Sequence, residues 1–518
     1  MTAPPLSLDA DQKRALNLLA AGNRDVLGVL AAVATRQRRS LEWHARARQT
    51  LSGGRSQLPY FSPVLPLCIE EARGGRIVCA DGHDFVDAHM GYTAGILGHN
   101  PPPVVAALTA ALGRRPGAGY FVSEQVELAE LICALVPGLE RVAFLHAGAD
   151  AVTAAVRLCR AATRRTLIAK FEGCYHGWHE PGLVNTALTW AGRAGEGPLE
   201  NIAPELATGG VSRAAGAEFL ILPYGDPLAL QLIRDHASDL AGVLLDPVPR
   251  FMMNDLAGAQ AFAGQLRSLT AELGLPLICD EVVTGFRLAP GGVAEAFGVQ
   301  SDLSCFGKIT GGLGLPLSVV GGRADLMNRA TTAGLVNDYV SQKVWISTTN
   351  AANSLSVTAS LAALRMIATA GARQDGAAQA GANLFAPLDA HHAHLKSAID
   401  ALAARLGVKV RLDGHPRLYS MLAFSLPSPD AGLHGADSSG AAPLPDAHNP
   451  ARAYFRTFTP DNVRAARLLT LYGRLQGMYM ETLPTLDLSA AHTAADVAQI
   501  SAGLTESLTR MQMQGVFA

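Results

Sequence analysis

LPLICDEVVTGFRLAPGGVAEAFGVQSDLSCFGKITGG, residues 275–312, decides the fold. It opens on an apolar run, LPLICDEV (275–282), and ends on a second, DLSCFGK (302–308). Each run is short and apolar, as a buried strand requires. Each also reaches a charged residue towards its end, Asp280 in the first and Lys308 in the second. Ligands of parallel α/β sheets sit at the carboxyl ends of the strands, so the two charges share one rim.

The same pattern extends towards the N-terminus. RVAFLHAG (141–148), RTLIAKF (165–171), AEFLILPY (217–224) and LAGVLLDPV (240–248) are further short apolar runs. Helical stretches at 102–113, 124–135 and 149–163 interleave with them. Strands alternating with helices form βαβ units, so the expected fold is α/β, with a mainly parallel central sheet flanked by helices. That order brings His146–Asp150, Asp246, Asp280 and Lys308 to one rim. Farther out, residues 8–50 have a helical period that Gly53 and Gly54 stop. GGRIVCADGHDFVD (74–87) has the form of a hairpin turning at Asp81-Gly82. Residues 426–450 are rich in Pro, Gly, Ser and Asp, the composition of a flexible surface loop.

Composition excludes several classes. With 518 residues, the chain is too long for one compact core. A formal net charge of −2 leaves no cationic excess for nucleic acid, and runs such as Arg36–Arg39 fit a solvated helix face. Seven scattered cysteines without a CxxC pair indicate reduced thiols. MTAPPLSLDADQKR has no apolar signal core, and no stretch reaches membrane-spanning length. The expected location is the cytoplasm.

Taken singly, the rim residues leave two readings each. Lys308 is either a loop lysine or a Schiff-base lysine whose apolar flanks lower its proton affinity. Asp280, at the end of a buried strand, needs a cationic partner, either in a structural ion pair or in a ring nitrogen that it keeps protonated. Val282, two residues on, points to the same side and can pack on a ring face. HAGAD (146–150) joins a strand to a helix whose first amides can hold a phosphate, with Gly148 allowing close approach. In FEGCYHG (171–177), Tyr175 can stack on a cofactor or close the core.

Together these motifs resemble the class III aminotransferases of pyridoxal-phosphate (PLP) fold type I, and among them the glutamate-1-semialdehyde aminomutase group. The resemblance runs from about residue 40 to the C-terminus. It rests on DGHDFVDAHMGYTAGILGHNPPPVVAAL (81–108), FEGCYHG (171–177), DEVVTGFR (280–287), FGKITGGLGLPLSVVGGRADLM (306–327) and AAHT (490–493), in that order. It implies PLP as cofactor and Lys308 as the cofactor lysine and proton shuttle. It also implies Asp280 as partner of the pyridine nitrogen, Val282 beneath the ring and Tyr175 stacked on it with His176 alongside. Gly148 and Ala149 then form the phosphate cup. Thr349 reaches the partner subunit's phosphate, which implies a homodimer with shared sites. The fold expected from the resemblance has a smaller α+β domain built from both termini (39–94 and 356–518) and a large PLP-binding domain (95–355), and a helical N-terminal extension (1–38) lies outside the resemblance. The extension either packs on the dimer or docks a carrier protein.

The chain departs from the family pattern in three places. The usual SGTEA cup reads AGADA (147–151), which removes two hydroxyl donors. The EPV-type stretch reads DPV at Asp246, and Arg250-Phe251 stands where a polar amide is common. LPYFSPVLP (58–66) has no cation where the aminomutases hold a substrate carboxylate, and Arg55 lies several residues earlier. A pocket of Tyr60, Phe61 and Tyr92 favours an apolar substrate. The expected function is therefore amino transfer from an amino acid donor to a hydrophobic aldehyde or ketone, in a biosynthetic pathway. The alternatives are intramolecular amino transfer, racemisation or epimerisation, and a non-catalytic binding role.

Overall fold

The computed structural model describes residues 10–55, 64–186, 198–331, 343–371, 384–426 and 449–517. Tyr60, Phe61 and the span 427–448 of the Pro- and Gly-rich stretch lie outside the described residues.

The single helix expected over 8–50 is three helices: α1 (Ala10–Ala20), α2 (Arg24–Arg36) and α3 (Arg38–Ala47). Ala21 and Gly22 break the first with positive φ angles of 48° and 78°. The Asn23 side chain then accepts the amides of Asp25 and Val26 and starts α2. The leucine period continues across the break, so periodicity alone does not reveal it. Next come β1 (Ile69–Arg73), β2 (Arg76–Cys79) and β3 (Asp84–Asp87), paired antiparallel in sequence. The Asp81-Gly82 turn forms as expected. The Asp81 carboxylate also accepts the amides of Arg39 and Ser40 at 2.6 and 3.1 Å, which ties α3 to the hairpin.

The central sheet has seven strands: β4 (Arg141–Leu145), β5 (Leu167–Phe171), β6 (Phe219–Leu222), β7 (Leu240–Leu245), β8 (Leu277–Glu281), β9 (Leu303–Phe306) and β10 (Ser318–Gly322). They are ordered β4-β10-β9-β8-β7-β5-β6. Strands β5 to β9 pair in parallel, and β10 runs antiparallel between β4 and β9. This is the expected α/β architecture, a mainly parallel sheet with α4 (Pro102–Ala111), α5 (Ser123–Leu135) and α6 (Gly148–Thr163) among its helices. Strands β7, β8 and β9 are buried along their whole length, as a sheet covered on both faces demands. The sequence reading does not contain β10, because Gly321 and Gly322 weaken a strand signal. Both glycines are needed there: a Cβ on Gly322 would lie 2.1 Å from the Asp302 carbonyl oxygen.

The rest of the chain adds the helices Ser354–Gly371 and Phe385–Leu406, the hairpin β11 (Val410–Gly414) and β12 (Ser420–Phe424), and the helices Pro450–Arg456, Pro460–Leu475 and Ala494–Met513. Strand β13 (Met478–Tyr479) returns to pair in parallel with β3, so the second sheet, β1-β2-β3-β13, is made from both ends of the chain. Helix α2 packs on Pro460–Leu475, with Val26, Val29, Leu30 and Val33 buried. The expected loop runs two residues too far at its C-terminal end. Asn449 is fully buried and caps the helix that Pro450 begins, through the amides of Ala451 and Arg452. Among the described residues, no helix is long and apolar enough to cross a membrane.

Candidate active site

Asp280 sits one residue before the end of β8 and is 7% exposed. A carboxylate buried there needs partners. Its Oδ1 accepts the Val282 amide at 3.1 Å, and its Oδ2 lies 2.7 Å from Nδ1 of His176, a fully buried ring. Burial holds His176 below the usual imidazole range against the pull of Asp280, so the neutral ring donates its Nδ1–H to the carboxylate. The other ring nitrogen, Nε2, is buried with no hydrogen-bond partner. Asp246, after β7, is pushed well above the usual carboxylate range by burial and then by Asp280. Burial and the neighbouring carboxylate both favour the neutral form of Asp246.

Lys308 follows β9 after Gly307 and takes a left-handed conformation, with φ 53°. Its Nζ donates to the Tyr92 carbonyl at 2.9 Å. The segment Met90–Thr93 that supplies this carbonyl is itself left-handed at four consecutive residues. Such backbone persists only where its surroundings over-determine it, and it is common at active sites.

Gly148 opens α6, and Ala147 precedes it without a capping oxygen. Asp150 compensates by accepting the Ala147 amide at 3.0 Å. A Cβ on Gly148 would lie 2.7 Å from Val282 Cγ2, and one on Gly307 would lie 3.0 Å from Val282 Cγ1. Val282 therefore lies between the start of α6 and the residue before the lysine. Gly177 lies against Ala149, where an added Cβ would come within 2.7 Å. The structure thus gathers Gly148, Ala149, His176, Asp280, Val282 and Lys308 at one rim of the sheet, Asp280 still within β8 and the others past their strands. Tyr175, next to His176, is 42% exposed. Thr349 is exposed on the segment after β10, and its neighbour Thr348 approaches His146 Nδ1 at 3.5 Å.

The wall beside Lys308 is charged. The Tyr92 hydroxyl donates to Glu481 Oε2 at 2.5 Å, and Arg55 Nη2 lies 2.7 Å from Glu481 Oε1. His89 Nε2 approaches the same carboxylate at 3.4 Å. Burial pushes the Glu481 carboxyl up, but Tyr92, His89 and Arg55 together bring it below its ordinary range, so it is ionised. Asp487 is buried nearby, with Oδ1 accepting the Ser420 amide at 3.0 Å and Oδ2 unpartnered. Sequence reasoning missed Glu481 and His89. The available signal was one acidic residue inside the otherwise neutral stretch MYMETLP (478–484).

The donor set fits PLP. A helix start can hold its phosphate, a buried aspartate can meet its ring nitrogen, a valine can floor the ring and a lysine stands at the rim. Fold and site together define a PLP-dependent enzyme of fold type I. The profile of the family described as Aminotransferase class-III matches residues 60–405. The glutamate-1-semialdehyde 2,1-aminomutase of Thermomicrobium roseum is 39% identical over 328 residues, covering 62% of this chain and 71% of the relative. Glutamate-1-semialdehyde 2,1-aminomutase 1 of Cenarchaeum symbiosum is 32% identical, over 89% of this chain and 97% of the relative. An omega-transaminase from Sphaerobacter thermophilus superposes with a TM-score of 0.73 at 26% identity, over 91% of this chain and 97% of that one. The chain belongs to the class III aminotransferase family.

These relatives overturn the expected transfer to a hydrophobic aldehyde or ketone. The physical reason lies in the wall. Arg55 and Glu481 come from opposite ends of the chain and make the surroundings of Tyr92 polar and charged, not apolar.

Proposed function

We propose that the protein catalyses intramolecular amino transfer, moving an amino group between neighbouring carbons of an amino aldehyde that bears a carboxylate. The observation that carries this reading is the chain of contacts from Lys308 through Tyr92 to Glu481 and Arg55. It supplies a cation for a substrate carboxylate beside the rim lysine. The names of the sequence relatives agree with it.

Bound PLP supplies an electron-withdrawing ring that stabilises negative charge on the carbon next to the transferred nitrogen. The protein's residues do the rest. Asp280, oriented by His176, would hold the ring nitrogen protonated. Val282 and Tyr175 would sandwich the ring, and the amides that open α6 at Gly148 and Ala149 would hold the phosphate. Lys308 Nζ carries the proton between the two carbons; its tether to the Tyr92 carbonyl keeps it at the rim. Arg55 turns from Glu481 to the substrate carboxylate, a bidentate exchange of one carboxylate for another. Pairing into a homodimer with shared sites fits the exposed Thr349 and the exposed aromatics Phe121, Tyr120 and Trp178.

The test is turnover of glutamate 1-semialdehyde as the sole substrate by the cofactor-loaded enzyme. The expected result is its isomeric amino ketone, formed with no added amine and no keto acid by-product. A strict requirement for a second amine, with one keto acid released per turnover, would overturn the proposal.

A further inference from the structure

The loop that carries Tyr175 and His176 begins at Glu172, the residue after β5. Glu172 is 2% exposed. Its Oε2 accepts from Arg452 Nε at 3.1 Å and from Asn449 Nδ2 at 2.9 Å, while its Oε1 lies 3.5 Å from Arg452 Nη2. Arg452 and Asn449 are fully buried and stand at the start of the helix Pro450–Arg456. The contact continues into the next residue of the loop. Gly173 is left-handed, and a Cβ there would lie 3.1 Å from Phe455 and 3.2 Å from Ala451 of that helix. Helix and loop therefore meet through a buried ion pair and through backbone packed on side chains.

Two charges buried this deeply are a weak source of stability, because desolvation cancels most of their attraction. Holding a geometry is the use such pairs serve best. The geometry at stake here is three residues on, where Tyr175 faces outward and His176 reaches Asp280 at 2.7 Å. Removing Arg452 would leave the Glu172 carboxylate buried without its cation, a strain relieved by taking up a proton or by moving the loop.

We infer that the Arg452–Glu172 pair, held by the helix Pro450–Arg456, is a positioning device for the loop that presents Tyr175 and His176 to PLP, and so sets how tightly the cofactor binds. The inference rests on the roles proposed above for Tyr175 and His176, but not on which amino transfer the enzyme performs. Arg452→Met alone leaves a buried unpaired charge and can unfold the protein. The decisive variant is therefore Glu172→Gln with Arg452→Met, which removes both charges.

The measurement is the PLP dissociation constant of the apoprotein of this double variant, beside its melting temperature without cofactor. Apoprotein that melts like wild type but binds PLP roughly tenfold more weakly is expected, within the range of couplings between contacting residues. If the loop shifts, His176 should also lose its contact with Asp280, read as a change in its ring signals by NMR. A folded double variant that binds PLP like wild type would overturn the inference. A wild-type protein that bound no PLP would instead overturn the cofactor roles proposed for the site.

Discussion

The floor of the site and its wall are built in opposite ways. On the floor, Asp280 lies at the end of β8, and Gly148 and Lys308 follow β4 and β9 of the same sheet. Strand order alone brings them together, so the floor follows wherever the fold forms. In the wall, Arg55 lies on the segment after α3, His89 and Tyr92 follow β3, and Glu481 follows β13. These residues meet only because β13 pairs with β3 and closes the second sheet from both chain ends. The difference separates two jobs. On the proposed reading, the floor provides the cofactor chemistry and the wall selects the molecule presented to it.

The sharpest way to break the comparison is to remove one part and ask whether the other survives. Lys308→Ala should lower turnover by about 10³-fold or more, since it deletes the group proposed to move the proton. The protein should stay folded, and a carboxylate substrate should still bind, because the wall is untouched. Retained turnover, read in single-substrate kinetics, would remove Lys308 from the floor.

A smaller effect separates the wall from the floor by pH. Burial pushes the Asp487 carboxyl up to about 7, against an ordinary value of 3.8. The unfolded chain releases this proton near pH 4, whereas the folded protein keeps it until about pH 7. Across that window the unfolded state binds fewer protons, so this group costs stability as pH rises and the cost levels off above 7. Asp487→Asn should flatten that decline, seen as a melting-temperature difference from wild type that grows between pH 4 and 7. The variant keeps an oxygen for the Ser420 amide. A difference independent of pH would show that Asp487 is ionised throughout.

The floor was readable in the sequence because each of its residues ends a local pattern. An apolar run that stops at Asp280 or just before Lys308 announces a strand end, and FEGCYHG announces the loop beside it. The resemblance then supplied the cofactor. What stayed hidden has physical causes. Gly321 and Gly322 disguised β10, although that strand is paired on both sides, by β4 and β9. Ala21, a residue with no turn preference, takes φ 48° and breaks a helix whose apolar period continues past it. The pairing of Arg55 with Glu481 depends on tertiary closure, and nothing local to either residue reports it. The missing wall is why the reading went to an apolar substrate: Tyr92 was visible, and the ion pair that its hydroxyl joins was not.

The central claim is that the wall selects a carboxylate, and one kinetic comparison tests it most directly. Glutamate 1-semialdehyde and its neutral carboxamide analogue would each be offered as sole substrate to wild type and to Arg55→Met. Wild type should prefer the acid by about 100-fold in kcat/KM, with most of the difference in KM, and Arg55→Met should lose that preference while keeping its turnover of the amide. Equal use of the acid and the amide by wild type would contradict the account.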